Sequence, residues 1–302
     1  MKPNIALVAA VKNEGPYLVE WIAYHLMLGV EHIYLYDDWS GDNSIEAYQT
    51  MYQTGRLTVH MTLKTGRRNR TQEDCYEEWR RSYGHLYTFM MPWDADEFLA
   101  LKEGTTLDEF LSSIPEDVGQ IRLNWKAFGS GSARYADFSK YVIERFTKHS
   151  LETYSSHVTK LIIRLSAMGL INPLSDESRP ITAHCSSILP TYRTVGADLM
   201  TDVENTGATI TPVFWNSRAT CYHYPIKSVE EFITIKKAKS LPYQSPEELE
   251  IGSFINNDYF VGADYNDLTD ESMFRYVAPL RSFIKNVKTS CPERARNSFQ
   301  NH

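Results

Sequence analysis

The sequence predicts an α/β protein: strands alternating with helices in the first half, shorter β-like runs in the second, and a helical C-terminal region. Three observations carry this expectation. Branched apolar runs alternate with helical patterns up to about residue 91, which is the signature of a parallel sheet. From Gly119 onward the runs become shorter and are separated by polar segments. After Ser228, capping signals and an amphipathic stripe return.

In chain order, strands are expected at Ile5–Val11, His32–Tyr36, Leu57–Met61 and Leu86–Met91. Between the first two, Pro16 suits the first turn of a helix, Leu18, Trp21, Ile22 and Leu26 form its apolar stripe, and Gly29 stops it. A second helix is expected near Ser44, after the turn at 39–43, and a third from Thr71 to about Ser82 with charged residues outward. Further β-like runs lie at Gly119–Leu123, Tyr141–Phe146 and Lys160–Leu165. Leu170 to Pro212 has little periodicity and reads as long loops, which in compact domains often bind ligands. Ser228-x-x-Glu231 and Ser245-x-x-Glu248 match capping boxes, and Phe274, Val277, Leu280, Phe283 and Ile284 form the last stripe.

The 302 residues, 42% hydrophobic and 13% aromatic, supply a sizeable core. A net charge of −7 argues against a broad nucleic-acid surface, so an anionic ligand has to be held locally. No run approaches the roughly 18 apolar residues of a membrane span. The N-terminal run is too short and too quickly charged for a signal peptide, so a cytoplasmic location is expected. Cys75, Cys185, Cys221 and Cys291 are widely spaced, with no zinc or disulfide pattern.

The most informative segment is Phe89 to Leu99, an apolar strand running into Asp94, Asp96 and Glu97. Open α/β sheets bind ligands at the carboxyl ends of strands. If the strand continues, Asp94 and Asp96 face one side and Glu97 the other. Hard carboxylate oxygens suit Mg²⁺ or Mn²⁺, which complete their shells with water and substrate phosphates. A D-x-D tripeptide alone is equally a solvated turn. Two further polar clusters, Val11-Lys12-Asn13-Glu14 and Asp37-Asp38, close the first two strands. Asp37 or Asp38 is a candidate for ribose or base, with Asn13 framing the base; taken singly, such residues are turn formers.

These residues, in order, resemble a known group. Val11-Lys12-Asn13-Glu14, Glu20-Trp21-Ile22-x-Tyr24-His25, Leu28 to His32, Tyr36-Asp37-Asp38-x-Ser40-x-Asp42 and Asp94-x-Asp96-Glu97-Phe98 are similar to the family 92 glycosyltransferases and their relatives in the family 2 superfamily. Trp125-x-x-Phe128-Gly129-Ser130, Glu144-Arg145-Phe146, Lys160-x-Ile162, His184 and the run from His223 through Lys227 to Phe232 continue the match. The resemblance implies a glycosyltransferase A fold, a Rossmann-like mixed sheet flanked by helices. It also implies a nucleotide-sugar donor, most often a UDP-sugar, a divalent cation (Mn²⁺ or Mg²⁺) and inversion at the anomeric carbon. Residues 1–240 are then one catalytic domain, with 1–100 binding the nucleotide sugar and 101–240 the acceptor. Residues 241–302 are a helical extension packed on it.

The resemblance assigns Asp94 to ribose or donor sugar and as a metal-site residue, Asp96 and His223 to the metal, and Lys227 to phosphate or sugar. Glu97, Trp125, Phe128 and Gly129 are candidates for donor or acceptor sugar. An inverting transfer also needs a base for the acceptor hydroxyl. His184, Asp198 and Glu144 are the candidates, with His184 preferred. Galactose is the first expectation for the donor, before rhamnose and glucose, and the acceptor is a glycan or glycoconjugate hydroxyl. Arg67, Arg68 and Arg70 form a short basic cluster that either neutralises phosphate or is solvated. Two features depart from the family pattern, Ser130-Gly131-Ser132 and Lys236-Lys237-Ala238-Lys239. The alternatives are a sugar-nucleotide pyrophosphorylase, disfavoured by the loop Lys12 to Pro16, and an inactive carbohydrate- or nucleotide-binding module.

Overall fold

A computed structural model describes residues 2–62, 72–151, 158–169, 181–184, 186–203, 217–237 and 257–290. The basic cluster at 67–70, the second capping box at 245–248, Cys185 and Cys291 lie outside the described residues.

The first half alternates as expected. Strand β1 (Ile5–Val11) is followed by α1 (Gly15–Leu28), β2 (His32–Asp37), α2 (Ser44–Tyr52), β3 (Leu57–Met61), α3 (Gln72–Tyr83) and β4 (Phe89–Pro92). β1 is apolar on every residue because it is covered on both faces. Ile5, Leu7, Ala9 and Val11 pack with Leu18, Trp21 and Ile22 of α1, while Ala6 and Val8 pack with Tyr76 and Trp79 of α3. Gly29 ends α1 at φ 118°, a left-handed cap that a side chain would strain. β4 starts three residues later than expected because residues 84–86 form a 3₁₀ turn. The Asn4 side chain pins that turn, donating to the Leu86 carbonyl at 3.0 Å and accepting from the Thr88 amide at 2.8 Å.

The next elements are β5 (Glu97–Leu101), α4 (Leu107–Ser112), β6 (Val118–Ala127), α5 (Val142–Arg145), β7 (Lys148–His149), β8 (Thr159–Arg164), β9 (Arg193–Gly196) and β10 (Ala219–His223). They are followed by α6 (Val229–Glu231), a π-helical turn at Phe232–Lys237, α7 (Asn257–Ala263), β11 (Leu268–Thr269) and α8 (Phe274–Thr289). Among the described residues nine strands form one mixed sheet in the order β3-β2-β1-β4-β8-β6-β10-β5, with β9 added to β6. β1 to β4 are mutually parallel, and β8 and β5 run against their neighbours. The sheet divides its partners along β6: residues 120–124 pair with β8, and residues 125–127 pair with β10. α8 packs against α1, burying Leu280, Ile284 and Val287.

β5 is an edge strand in the middle of the molecule, and α1 takes the place of its missing neighbour. The Trp21 indole donates to the Glu97 carbonyl at 2.7 Å, and the Tyr24 hydroxyl donates to the Leu99 carbonyl at 2.7 Å. His25 Nδ1 donates to the Trp21 carbonyl at 2.9 Å, which turns Nε2 towards the Leu99 amide at 3.4 Å. The Trp21-x-x-Tyr24-His25 spacing therefore satisfies buried backbone groups that a sheet edge would leave open.

Residues 141–146, expected to be β-like, form the short helix α5 instead. The buried Glu20 carboxylate accepts from the Val142 amide at 2.7 Å and the Ile143 amide at 3.2 Å, so a distant side chain stabilises the helix start. Burial raises the Glu20 pKa to about 7, with those two amides opposing the shift.

Gly129 tests the packing of the second half. A Cβ there would lie 2.1 Å from the Tyr265 carbonyl oxygen, which is backbone and cannot rotate away. Gly129→Ala should cost about 2–3 kcal/mol in urea unfolding, in the upper range for overpacking. Gly262→Ala, where nothing lies within 4 Å, should be neutral or slightly stabilising. Equal stability of the two variants would contradict the packing described.

Candidate functional site

Two loops at the carboxyl ends of β1 and β2 are joined into one wall. Asn13, at φ 51°, donates its amide to Ser40 Oγ at 2.8 Å and accepts from the Gly41 amide at 2.8 Å. The Gly15 amide reaches Asp42 at 2.8 Å. Lys12 pairs with Asp38 at 3.2 Å, and Thr62 donates to the same carboxylate at 3.1 Å. Val11 is core, and Glu14 is buried at the start of α1. Of the two aspartates at the end of β2, Asp37 is occupied by the turn, accepting from the Ser40 amide at 2.7 Å and the Tyr48 hydroxyl at 2.5 Å, and Asp38 follows the strand. Asp38 keeps about a third of its side chain exposed, so the wall presents Asp38 and Lys12. Beside them Trp39 is half-exposed at φ 57°, its indole anchored on the Thr62 carbonyl at 2.8 Å.

The carboxylates do not continue the strand. β4 ends at Pro92, residues 93–96 turn, and β5 leaves for the far side of the sheet. Strand alternation therefore does not govern these side chains, and the expectation that Glu97 faces away is corrected. Glu97 points into the turn, accepting from the Asp94 amide at 2.9 Å and from the Trp125 indole at 2.8 Å. Lys160, on β8, lies 2.6 Å from Asp94 and 3.2 Å from Glu97, and neither it nor Glu97 has any exposed side-chain surface. Burial pushes Glu97 up to about 8, while Lys160 opposes that shift. Burial opposes ionisation of Asp94 too, but the Lys160 ammonium holds its pKa below the usual range. Gln72, at the start of α3, donates to the other Asp94 oxygen at 2.5 Å.

Asp96 faces a second cation. Lys236, on the π-helical turn, donates to Asp96 Oδ2 at 2.9 Å, and Asp96 Oδ1 lies 3.6 Å from His223 Nε2. Burial works against the Asp96 charge, yet Lys236 and His223 hold its pKa well below the usual range. His223 arrives by strand register: β10 runs against β5 with His223 opposite Glu97, and the Tyr224 amide bonds the Asp96 carbonyl at 2.9 Å. Its ring packs on Trp125, with centroids 4.1 Å apart. Burial lowers the His223 pKa, with the Asp96 carboxylate opposing the shift, and its Nδ1 is buried without a hydrogen-bond partner in the described structure.

This donor set fits a divalent cation. Asp96 and His223 offer an oxygen and an imidazole nitrogen 3.6 Å apart, with Asp94 in the same turn. Among the described residues no group of three or more such side chains is gathered as a closed cage.

His184 joins the same centre. Its Nδ1 donates to the Thr159 carbonyl at 2.8 Å, which leaves Nε2 as the unprotonated nitrogen. Its ring lies edge-on to Trp125 at 5.5 Å, and burial lowers its pKa. The other base candidates have structural partners. Glu144 caps α5 and pairs with Arg281 of α8 at 2.8 Å; Asp198 closes its own turn with Met200 and Thr201. Phe128 is corrected from sugar platform to core residue, stacked on Tyr224 at 4.7 Å, and Gly129 is required by the Tyr265 backbone. Lys227 is buried, donating to the Tyr224 carbonyl at 3.1 Å above the Tyr17 ring.

Lys160 and Lys236 received no site role from sequence. Lys160 carries one usable signal, a lysine directly before the apolar run Leu161-Ile162-Ile163 of β8. Removing it leaves the buried Glu97 and the partly exposed Asp94 without their cation, a cost of about 3 kcal/mol, the lower end for breaking a buried pair. Lys160→Met should therefore lower the urea midpoint markedly, and adding Glu97→Gln should recover part of the loss. Strictly additive losses would mean that the two residues are not coupled.

Comparison with known proteins bears on the same residues. The family model described as glycosyltransferase family 92 matches residues 10–172, just over half of the chain. A glycosyltransferase family 92 protein of Oryza sativa subsp. japonica is 28% identical over 138 residues, covering 42% of this chain and 21% of its own length. The chain thus spans about a fifth of that relative. Among solved structures, glucosyl-3-phosphoglycerate synthase from Mycobacterium tuberculosis, in complex with Mn²⁺, UDP and glucosyl-3-phosphoglycerate, aligns at TM-score 0.28. The two share 12% identity over 41% of this chain and 44% of that one. S. aureus TarS in complex with UDP-GlcNAc aligns at TM-score 0.36 with 14% identity, over 55% of this chain and 46% of that one. The family match begins at the end of β1 and takes in both polar loops, the α1 residues that cover β5, the carboxylate turn and Lys160; this chain belongs to glycosyltransferase family 92.

Proposed function

We propose that this chain is a metal-dependent, inverting hexosyltransferase that moves a sugar from a UDP-sugar, UDP-galactose first, to a hydroxyl of a glycan or glycoconjugate. One observation carries the reading. The Asp38–Lys12 wall and the Asp94-Asp96-His223 centre lie at the same ends of neighbouring parallel strands β2, β1 and β4. That is where an open α/β sheet holds a nucleotide.

Asp38 and Lys12 face ribose and base, and Asp94, fixed by Lys160 and Gln72, faces ribose or donor sugar. Asp96 and His223 would hold the cation, with Asp94 beside them. A bound Mn²⁺ or Mg²⁺ supplies Lewis-acid stabilisation of the charge on the departing diphosphate. Trp125 is tied to Glu97 and packed on His223, and offers a half-buried aromatic surface for a sugar ring. His184 acts as base: Nε2 takes the proton of the acceptor hydroxyl, whose oxygen bonds the anomeric carbon as the bond to the diphosphate breaks. The bonding pair leaves with UDP. No helix in the described residues is long and apolar enough to cross a membrane.

UDP release from a panel of UDP-sugars should require Mn²⁺ or Mg²⁺ and stop on chelation. Asp96→Ala should abolish it while the chain still folds, with a lowered unfolding midpoint because Lys236 loses its carboxylate partner. Binding of UDP-sugars without turnover would identify a binding module, and pyrophosphate release from UTP and a sugar phosphate would identify a nucleotidyltransferase.

The base has its own test. Because burial lowers the His184 pKa, the acid limb of kcat should fall below the ordinary histidine value of about 6.5. His184→Ala should remove that limb and reduce kcat by about a hundredfold or more. An unchanged pH profile would exclude it as the base.

A further inference from the structure

Resting on the donor reading above, we propose that Lys236 exchanges charge partners during donor binding. It neutralises Asp96 in the donor-free chain and passes to a diphosphate oxygen when the nucleotide sugar and its cation arrive.

The first observation is position. Lys236 contacts Asp96 at 2.9 Å, and although burial works against its charge, Asp96 is the main group that stabilises it. Asp96 belongs to the carboxylate turn, and its other oxygen lies 3.6 Å from His223. The ammonium therefore stands on the carboxylate that would hold the cation, where the diphosphate bound to that cation must also come.

The second is mobility of charge. Lys160 is wholly buried between Asp94 and Glu97 and cannot leave without exposing them. Lys227 is engaged by the Tyr224 carbonyl. Lys236 keeps 19% of its side chain exposed and stands on a π-helical turn, a geometry frequent at functional sites. The base of that turn is rigid: Ser228 and Glu231 form a capping box, and Arg145 holds Glu231 with two bonds of 2.7 and 2.8 Å.

The third is electrostatic incompatibility. An ammonium 2.9 Å from Asp96 repels a dication drawn to the same carboxylate. The diphosphate relieves the conflict by offering Lys236 new oxygens, and a flexible lysine stem with three donors can follow them. Lys236 remains protonated throughout. It stabilises the electron pair that leaves with the diphosphate and transfers no proton.

The exchange predicts effects of opposite sign. In Lys236→Met, Mn²⁺ titrated into the nucleotide-free chain and followed by electron paramagnetic resonance should bind several-fold more tightly than in wild type. UDP binding at saturating Mn²⁺ should weaken about tenfold or more. Mn²⁺ should also raise the thermal midpoint more in the variant, which monitors folding in the same samples. Lys236→Arg should restore UDP binding, and Lys237→Met should change neither affinity. Weakening of both ligands together in a folded Lys236→Met, or no change in either, would overturn the exchange and leave the donor reading standing. A wild-type chain that binds neither Mn²⁺ nor UDP would overturn both.

Discussion

Three carboxylates cannot be crowded into one turn, two of them buried, unless cations are brought to them. At the turn between β4 and β5, Lys160 answers Asp94 and Glu97 from β8, and Lys236 answers Asp96 from the π-helical turn. Neither lysine is near the carboxylates in sequence. The sheet order that places β8 beside β4, and the cap that fixes the segment after β10, are therefore conditions for the site to exist.

The same turn decides where the rest of the second half goes. By leaving β4 and starting an edge strand elsewhere, the chain creates backbone groups that require partners. Trp21, Tyr24 and His25 supply them from α1, and β10 supplies the other side. The pairing with β10 sets His223 opposite Glu97, so a histidine more than a hundred residues downstream meets Asp96 by register. Packing against Trp125 then holds the ring in place.

Much of the first half was legible from residue pattern. Apolar runs, Pro16 and Gly29 marked β1, α1 and β2 because those signals act within a few residues. α5 was misread as β-like because its start depends on Glu20, which no local pattern reveals. Phe128 and Gly129 read as sugar contacts, but their neighbours, Tyr224 and the Tyr265 backbone, are distant in sequence.

Sequence by itself determined the α/β alternation, the polar closures of β1, β2 and β4, and the ordered motifs that mark the family. Those are local or ordered properties of the chain. Tertiary structure alone decided which side chains share the centre: Glu97 turned inward, Lys160 and Lys236 joined it, and Glu144 and Asp198 were engaged elsewhere. The physical reason is desolvation. A buried charge is tolerable only where a partner is brought to it, and long-range strand pairing, rather than any run of residues, brings the partner.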